Sequence, residues 1–458
     1  MDHQAASPLS AEEIVALNRR YVFFSWSVQN AVQPIPVVGG EGIYYWDADG
    51  RRFMDFSAQL MNLNIGYQHP RVIAAIQEQA NQLCTSHPSM ATGPKGVLGS
   101  MIAELAPGSL NKTFFTLGGA EANENAVKFA RLYSGRHKII TRYRSYHGAT
   151  YGAITLSGDY RRPPVEPGIP GVVHVFDPYC YRCVFGQSPD TCHRECISHI
   201  EEVIRFEGPE TVAALLMEGV TGSNGIIVPP DDYWPRLREI TNKYGILLIS
   251  DEVMSGFGRT GEWFAVDNWG VEPDIMTIAK GLTSGYMPLG GVVVSDAIAR
   301  HFDERMLYMG LTYFGHPLST AAGVATLQVY KEEGLVENSK RLGLVLAARL
   351  QELKARHESI GDVRSIGLFS VIELVSNRNS RQPMEATVME AIKGRLFADG
   401  LTTFINKNML FICPPLCITQ AELLEGLGTI ERAIIRVVRA GLPGDNHRLC
   451  GGYPIRSL

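Results

Sequence analysis

Short apolar runs alternate with amphipathic segments through most of the chain. Apolar runs rich in β-branched residues predict buried strands, and apolar residues repeating every three or four positions predict helices. The predicted strands are residues 113–117, 138–142, 172–176, 213–217, 247–250, 275–278 and 291–295. The predicted helices are residues 71–83, 121–133 and 319–333. This alternation favours an α/β fold with a mostly parallel sheet covered by helices on both faces.

The two ends of the chain follow different patterns. Near the start we expect a helix within residues 1–30, then the aromatic segment YVFFSWS, and then a hairpin turning at Asp49 and Gly50. Near the end, the segments VRSIGLFSVIELV and LTTFINKNMLFICPP predict antiparallel strands. Thr419 with Glu422 three positions later predicts a capping box, which starts a last helix.

Composition narrows the class of protein. The 458 residues are 45% hydrophobic, enough for two domains or for one large domain with a smaller attachment. A net charge of −5 argues against nucleic acid as a partner. No apolar run approaches ~18 residues, so no membrane span is predicted. Residues 1–20 lack the basic and apolar regions of a signal peptide, and we therefore expect a soluble, cytoplasmic protein.

Asp251 and Lys280 are the main candidates for chemistry. Each follows a predicted buried strand, and open α/β sheets place their active sites where strands end. A lysine there can bind an aldehyde cofactor covalently, and an aspartate can hold a pyridine nitrogen protonated. Either residue alone is more typical of a solvated loop, but glycines follow both, in SDEVMSGFGRTG and AKGLTSGYMPLGG.

These segments identify a family. Together with EGIYYWDADGRRFMDFSAQLMNLNIGYQHP and FICPPLCITQAEL, they resemble the class III pyridoxal-phosphate aminotransferases, the ω-aminotransferase group, nearest the taurine and amine transaminase branch. The resemblance runs through almost the whole chain. It implies fold type I, with a large cofactor domain at residues 66–325 and a small α+β domain built from residues 1–65 and 326–458. It also implies a homodimer with shared active sites, a tetramer being the alternative.

The resemblance also implies a set of cofactor residues. Gly119 and Ala120 match the phosphate site at a helix start, where backbone N–H groups suit an anion. Ala120 replaces the usual hydroxyl residue, so one hydrogen bond to the phosphate, worth about 1 kcal/mol, is lost. Thr312 matches a threonine that completes the phosphate site from the neighbouring subunit. The alternatives are a plain tight turn at the glycines and an ordinary loop threonine.

Other positions surround the cofactor ring in this family. Tyr146 matches the aromatic residue on one face and Val253 matches the residue on the other, and we expect Val253 to share a strand side with Asp251. Glu218 ends its predicted strand near the ring. Thr221 stands where relatives have a glutamine, which puts a bond to the ring hydroxyl in doubt. His147 is expected to be a core histidine with a minor role.

The substrate pocket is expected to include Phe24, Trp26 and Met61, the last in place of a tryptophan found in many ω-amine enzymes. Many relatives carry a mobile arginine before the PP segment for the acceptor carboxylate. Here Asn406 and Lys407 occupy that region, and we favour a simple hairpin turn over a substitute cation. This weakens the case for 2-oxoglutarate relative to pyruvate.

The predicted activity is transfer of an amino group from a primary amine or ω-amino acid to a keto acid, in two half-reactions with pyridoxal 5'-phosphate. A decarboxylase or aminomutase on the same fold is the main alternative. The segment GFGRTG at residues 256–261 matches the dinucleotide pattern of a nicotinamide dehydrogenase, but no amphipathic helix follows it.

Four cysteines cluster in CYRCVFGQSPDTCHREC, at Cys180, Cys183, Cys192 and Cys196. Two close pairs with a histidine between them resemble the spacing of zinc ligands. We favour the alternative of free thiols on a surface loop, because the family's chemistry needs no metal there. No metal is therefore assigned.

Overall fold

The computed structural model describes residues 9–439. The helices are α1 (Ala11–Tyr21), α2 (Ala58–Met61), α3 (Pro70–Gln82), α4 (Gly93–Leu105), α5 (Gly119–Ser134), α6 (Tyr151–Leu156), α7 (Glu195–Glu207), α8 (Tyr233–Tyr244), α9 (Asp296–His301), α10 (Pro317–Glu332), α11 (Leu335–Arg356), α12 (Ala386–Ala398) and α13 (Gln420–Arg439). The strands are β1 (Val37–Glu41), β2 (Tyr44–Asp47), β3 (Arg52–Asp55), β4 (Leu110–Thr116), β5 (Lys138–Arg142), β6 (Val172–Val175), β7 (Val212–Glu218), β8 (Leu247–Asp251), β9 (Ile275–Ile278), β10 (Gly290–Ser295), β11 (Ile360–Ile366), β12 (Phe369–Asn377), β13 (Gln382–Pro383), β14 (Leu401–Thr402), β15 (Ile405–Asn406) and β16 (Met409–Ile412).

A seven-stranded sheet in the order β4-β10-β9-β8-β7-β5-β6 carries the middle of the chain. The five strands from β9 to β6 run parallel, and β10 is antiparallel to both of its neighbours. Every residue of β7, β9 and β10 is buried. Such continuous burial is typical of a sheet covered on both faces, which explains the unbroken apolar runs in the sequence.

The strand and helix predictions for this region are confirmed, and no end moves by more than three residues. The strands at residues 138–142 and 275–278 have the predicted limits. The helix predicted at residues 121–133 starts earlier, at Gly119, because the glycine pair itself opens α5. Sequence periodicity does not report such a start, since glycine contributes no apolar side chain.

The predicted hairpin near the start is also confirmed. Strands β2 and β3 pair antiparallel, and Gly50 in the turn has φ +80°. The short strand β14, from far along the chain, adds parallel to β3. One four-stranded sheet, β1-β2-β3-β14, therefore joins the two ends of the chain.

A third sheet contains β11, β12, β16 and β15 as antiparallel neighbours, as the C-terminal pattern predicted. The capping box before α13 is confirmed, since the Thr419 hydroxyl accepts the Glu422 N–H at 3.3 Å and the Glu422 carboxylate accepts the Thr419 N–H at 2.9 Å. The predicted N-terminal helix is α1, opened by a second capping box at Ser10 and Glu13. The parts of these predictions at residues 1–8 and 440–458 lie outside the described residues.

Arg259 ties these regions together. Its guanidinium is fully buried and donates to the carbonyls of Leu368 and Pro414 and to Oδ1 of Asn64. These partners come from both ends of the chain, so a single side chain links the central sheet region to both ends. Within residues 9–439, no helix combines the length and apolar character that a membrane crossing requires.

Candidate active site

Asp251 and Lys280 emerge at the same edge of the central sheet. Strands β8 and β9 are parallel neighbours, Asp251 is the last residue of β8, and it lies opposite Thr277 in β9. Lys280 follows two residues after the end of β9 and has φ +45°, in the left-handed region. The sequence prediction that strand ends bring this acid and this amine to one edge is confirmed.

Asp251 is held by three hydrogen bonds. Its Oδ2 accepts from the Asn123 side chain at 2.8 Å and lies 2.7 Å from Nδ1 of His147, while its Oδ1 accepts the Val253 N–H at 3.0 Å. The other ring nitrogen of His147 lies 3.1 Å from the Thr141 hydroxyl. All of these side chains except that of Val253 are buried. The carboxylate is therefore fixed in position before any ligand arrives.

Asn123 and His147 were not assigned this position from the sequence. Asn123 lies on α5 and His147 in the loop after β5, more than 100 residues before Asp251. Their juxtaposition depends on how the helix and loop cover the sheet. The family resemblance marked His147 as a residue next to Tyr146 with a minor role, but nothing in the sequence pattern marked Asn123.

Glu218 is the second acid at this edge. It ends β7, lies opposite Asp251 in the neighbouring strand, and accepts the Gly222 N–H at 2.9 Å. Burial raises the pKa of Glu218. Burial also lowers the pKa of Lys280, with the positive charge of Arg161 acting in the same direction, against the opposing charges of Asp251 and Glu218. A lysine with a lowered pKa more readily supplies the neutral amine that acts as a nucleophile or base.

The start of α5 fits a phosphate group. Gly118 is its N-cap and provides no side-chain cap, so the first N–H groups of the helix are available to an anion. A Cβ atom placed on Gly118 would meet no atom within 4 Å, so there is room beside this helix end. A Cβ atom on Gly119 would lie only 2.6 Å from Cγ1 of Val253. The glycine at position 119 thus lets the helix end approach the segment after Asp251.

Val253 requires one correction to the sequence argument. Strand β8 ends at Asp251, and Val253 lies in the turn that follows it. The two side chains therefore do not share a strand face, because the strand has already ended. Val253 reaches the site through its contact with Gly119.

Tyr146 is half-buried, and its N–H donates to Glu218 at 3.4 Å. The guanidinium carbon of Arg161 lies 3.8 Å from the Tyr146 ring centroid. Trp26 meets the same ring edge-on, with centroids 6.2 Å apart. The N-terminal aromatic segment therefore contacts this site through Trp26. Arg161 was missed in the sequence, where SGDYRR resembles an ordinary basic loop.

The remaining predicted residues lie as follows. Thr221 is buried, and its hydroxyl has no hydrogen-bond partner among residues 9–439, which leaves it available to a bound group. Met61 is 3% exposed and packs in an apolar cluster with Val220 and Phe369. Phe24 is half-buried, with its backbone held by Gln29. Thr312 lies exposed in the turn at 312–315.

The hairpin turn favoured for residues 406–408 is confirmed. Strands β15 and β16 pair antiparallel with Asn406 opposite Met409, and Lys407 has φ +55° in the turn between them. Asn406 donates to the carbonyl of Ser223 at 2.8 Å. The ammonium group of Lys407 lies 5.4 Å from the Tyr160 ring centroid.

The cysteine segment lies apart from these residues. Cys180, Cys183, Cys192 and Cys196 line one cavity together with Pro230 and Arg194. Within residues 9–439, no three side chains of the metal-ligating types are arranged to hold a metal ion. Burial and the neighbouring thiols raise the pKa of Cys196 to about 12, so this group is a neutral thiol at ordinary pH.

The dinucleotide-like segment at residues 256–261 forms consecutive turns. A short 3-10 helix at Ala265–Trp269 follows it, rather than the longer helix that a dinucleotide site requires. A Cβ atom on Gly258 or Gly261 would meet Val336 or Lys340 at 3.1 Å. These glycines therefore serve close packing against α11.

Comparisons with known proteins agree with this geometry. A model of the aminotransferase class-III family matches residues 26–434. The putrescine–pyruvate aminotransferase of Pseudomonas aeruginosa is 37% identical over 425 residues, which cover 89% of this chain and 91% of that protein. The leucine/methionine racemase of Thermococcus litoralis is 36% identical over 420 residues, covering 90% and 93%.

A solved structure gives the same result. The taurine:2-oxoglutarate aminotransferase from Bifidobacterium kashiwanohense, in complex with PLP and glutamate, superposes with a TM-score of 0.91 at 41% identity. The match covers 94% of this chain and 99% of that one.

Proposed function

The chain belongs to the class III aminotransferases, and we propose that it transfers an amino group through pyridoxal 5'-phosphate held on Lys280. The donor is a primary amine or an ω-amino acid, and the acceptor is pyruvate or 2-oxoglutarate. Relatives named for putrescine with pyruvate and for taurine with 2-oxoglutarate support both the donor classes and the acceptors. The chain is thus a pyridoxal-phosphate-dependent transaminase, not a nicotinamide dehydrogenase.

One observation is the main support for assigning these residues to a cofactor site. Asp251 and Lys280 lie at the ends of two neighbouring parallel strands, and the uncapped start of α5 lies beside the segment that follows Asp251. These groups match the ring nitrogen, the aldehyde and the phosphate of the cofactor. The hydrogen bonds from Asn123 and His147 support a carboxylate whose position is fixed.

The cofactor, when bound, supplies an aldehyde that takes up the amino group and a ring that withdraws electrons. Asp251, held by Asn123 and His147, would keep a proton on the ring nitrogen of the bound cofactor. The Nζ of Lys280 would take the proton from the donor carbon that bears the nitrogen and pass it to the cofactor. In the second half-reaction it would deliver a proton to the former carbonyl carbon of the acceptor. Burial favours its neutral form, which this role requires.

The remaining site residues complete the proposal. Gly119 and Ala120 would hold the phosphate through their N–H groups, and Tyr146 and Val253 would cover the two faces of the ring. Glu218, which ends β7 opposite Asp251, is assigned to the same cofactor site. Phe24 and Met61 stay assigned to the substrate pocket.

The assembly and location form part of the same proposal. We infer a homodimer in which the partner's copy of Thr312 completes each phosphate site, and its exposed position in a turn supports this role. The pairing of β14 with β3 supports a small domain at residues 1–65 and 326–458, around a large domain at residues 66–325. We place the enzyme in the cytoplasm.

Replacement of Lys280 tests the function directly. We expect Lys280→Ala to bind the cofactor without a covalent link and to lose turnover, because no other amine moves the proton. Lys243→Ala removes a surface lysine that pairs with Glu201 at 2.6 Å and should behave as wild type. Covalent retention after borohydride reduction and the rate with each donor are the measurements. Appreciable turnover by Lys280→Ala would refute the assignment.

The reaction class is tested with a panel of donors and acceptors on the wild-type enzyme. We expect a keto or aldehyde product from the donor and an amino acid from the acceptor in equal amounts. Release of carbon dioxide would instead indicate a decarboxylase, and a donor isomer without an acceptor requirement would indicate an aminomutase. The product balance separates these outcomes without any variant.

A further inference from the structure

Arg161 lies beside the proposed reaction centre. Its guanidinium is stacked on Tyr146 at 3.8 Å and lies 5.7 Å from the Trp26 ring centroid. The positive charge of Arg161 is one of the influences that lower the pKa of Lys280, which places it within electrostatic reach of that amine. Only 9% of the side chain is exposed. Arg161 is therefore a buried cation in the wall of the site.

The bonds of Arg161 leave one side of the guanidinium available. Its Nε and Nη2 pair with the Asp159 carboxylate, and Nη2 also donates to the Ser223 hydroxyl at 2.8 Å. A guanidinium has five N–H groups, two of them on Nη1. Within residues 9–439, Nη1 has no hydrogen-bond partner. The pair with Asp159 thus orients the group and leaves Nη1 for a ligand.

The negative charge of Asp159 does not prevent Arg161 from binding an anionic ligand. Its carboxylate also accepts the Asn224 side chain at 2.9 Å and the N–H of Arg161 at 3.0 Å. Its negative charge is therefore shared among several donors. Burial by itself would lower the pKa of Arg161, but the hydrogen bonds and charge of Asp159 raise it, so the guanidinium stays charged.

The charges of the site explain why such a cation is needed. A keto acid carries a carboxylate into a space that already contains the buried acids Glu218 and Asp251. An anion brought out of water beside like charges is unstable unless a cation pairs with it. Lys280 is assigned to the chemistry. The hairpin at residues 406–408 also reaches Ser223, the residue that Arg161 contacts, because Asn406 donates to the Ser223 carbonyl. This hairpin contains no arginine.

The geometry points to Arg161 as the residue that binds the carboxylate of the keto-acid acceptor, through Nη1. This inference rests on the proposed transaminase function and adds a specificity determinant to it. The same guanidinium supports the ring of Tyr146 from one side, so acceptor recognition and ring position are linked through one side chain.

The test compares an acid with its neutral counterpart. Arg161→Gln should lower the second-order rate for pyruvate at least about tenfold, the size expected for loss of a charge-assisted hydrogen bond. The rate with propanal, which has the carbonyl but no carboxylate, should change by less than about threefold. The donor half-reaction with propan-1-amine should be similarly preserved. Arg161→Lys keeps the charge and should fall between Arg161→Gln and wild type with pyruvate.

Arg162→Gln is the matched control. This neighbouring arginine pairs with Glu166 at 3.2 Å and should leave every rate unchanged. Binding gives a readout without turnover: propanoate, which has a carboxylate but no keto group to react, should bind the wild type and Arg162→Gln alike in calorimetry. It should bind Arg161→Gln at least about tenfold more weakly.

Equal losses for pyruvate and propanal, or no loss for either, would overturn the role of Arg161 in binding the carboxylate. Unchanged propanoate affinity in Arg161→Gln would do the same. A wild-type enzyme that transaminates no donor with any acceptor would instead defeat the proposed function itself. The two failures are therefore distinguishable.

Discussion

Glu252 follows Asp251 in the chain but has a separate set of partners. Its carboxylate accepts the Ser255 hydroxyl at 2.6 Å and the N–H groups of Ala265 and Val266 at 2.9 and 3.2 Å. These last two N–H groups open the short 3-10 helix that follows the glycine-rich turns. Burial raises the pKa of Glu252 to about 7, against the hydrogen bonds that favour its charged form.

Stability should therefore depend on pH through Glu252. An acid whose pKa rises from 4.5 when unfolded to about 7 when folded binds more protons in the folded state between those values. The free energy of unfolding then falls as pH rises through that window, by about 3 kcal/mol at most. Glu252→Gln should flatten this fall in thermal unfolding measured between pH 4.5 and 7.

The neighbouring surface residue Glu262, which pairs with Lys340 at 2.6 Å, provides the control. Glu262→Gln should keep the wild-type dependence on pH. Asp267 also contributes, because burial raises its pKa to about 6, so the flattening in Glu252→Gln will be partial. An unchanged slope in Glu252→Gln would show that this carboxylate does not titrate in the window.

At this scale the sequence identified the residues that have a strong chemical pattern around them. Asp251, Lys280 and Glu218 each end an apolar run, and a strand end is visible in a one-dimensional pattern. Asn123 and Arg161 have no such signature, since a polar residue in a helix or a basic residue in a loop is usually solvated. Asn123 bonds to Asp251, 128 positions later in the chain, and Arg161 stacks on Tyr146 only because of how the segment between them folds.

At the scale of elements, the start of α5 depends on a close fit. Gly119 allows the helix to approach Val253, because any side chain at this position would lie 2.6 Å from Cγ1. The neighbouring Gly118 has open space around it. The two glycines of one motif thus differ: close packing requires glycine at position 119, whereas position 118 has open space beside the helix end.

Gly119→Ala should destabilise the protein by about 1–3 kcal/mol, as overpacking does. The apparent affinity for the cofactor should also weaken, because the helix end must shift. Thermal unfolding without cofactor and titration with pyridoxal 5'-phosphate are the measurements.

Val253→Ala removes the atoms that clash and is the matched second change. The double variant Gly119→Ala with Val253→Ala should be more stable than Gly119→Ala alone. Additive losses from the two substitutions would show that the contact between these residues is not the cause.

The observed ends of the strands show which features a repeating pattern of apolar residues can predict. The strands of the central sheet were found because both faces are buried, which leaves unbroken apolar runs. The end of β8 was predicted at residue 250, one residue before its observed end at Asp251. The assumption that its alternation continues to Val253 was wrong, because the chain turns there. A strand end changes the direction of every later side chain, and composition does not show it.

At the scale of the whole molecule, the proposed shared active site makes a sharp prediction. If Thr312 acts across the subunit boundary, Lys280→Ala and Thr312→Glu chains should each be inactive alone. Mixed dimers should regain one working site, with Lys280 from one chain and Thr312 from the other. Random re-association should restore about a quarter of the wild-type rate.

The controls for this experiment are the two variants refolded separately, which should remain inactive. A mixture that stays inactive while mixed dimers are present would contradict the shared site. Full activity of Thr312→Glu alone would remove Thr312 from the phosphate site. Light scattering on the same samples gives the oligomeric state, dimer or tetramer.

Local information in the sequence determined the α/β class, most strand positions, and the acid and amine at the sheet edge, since each depends on residues close together in the chain. The tertiary structure alone decided that Asn123 and His147 hold Asp251, that Arg161 stacks on Tyr146, and that β14 joins β3. Tyr146 and Arg161 are 15 positions apart in the chain (161 − 146), and the other pairs are more than 100 positions apart. Burial and hydrogen bonding act through space, so their partners are known only once the chain is folded.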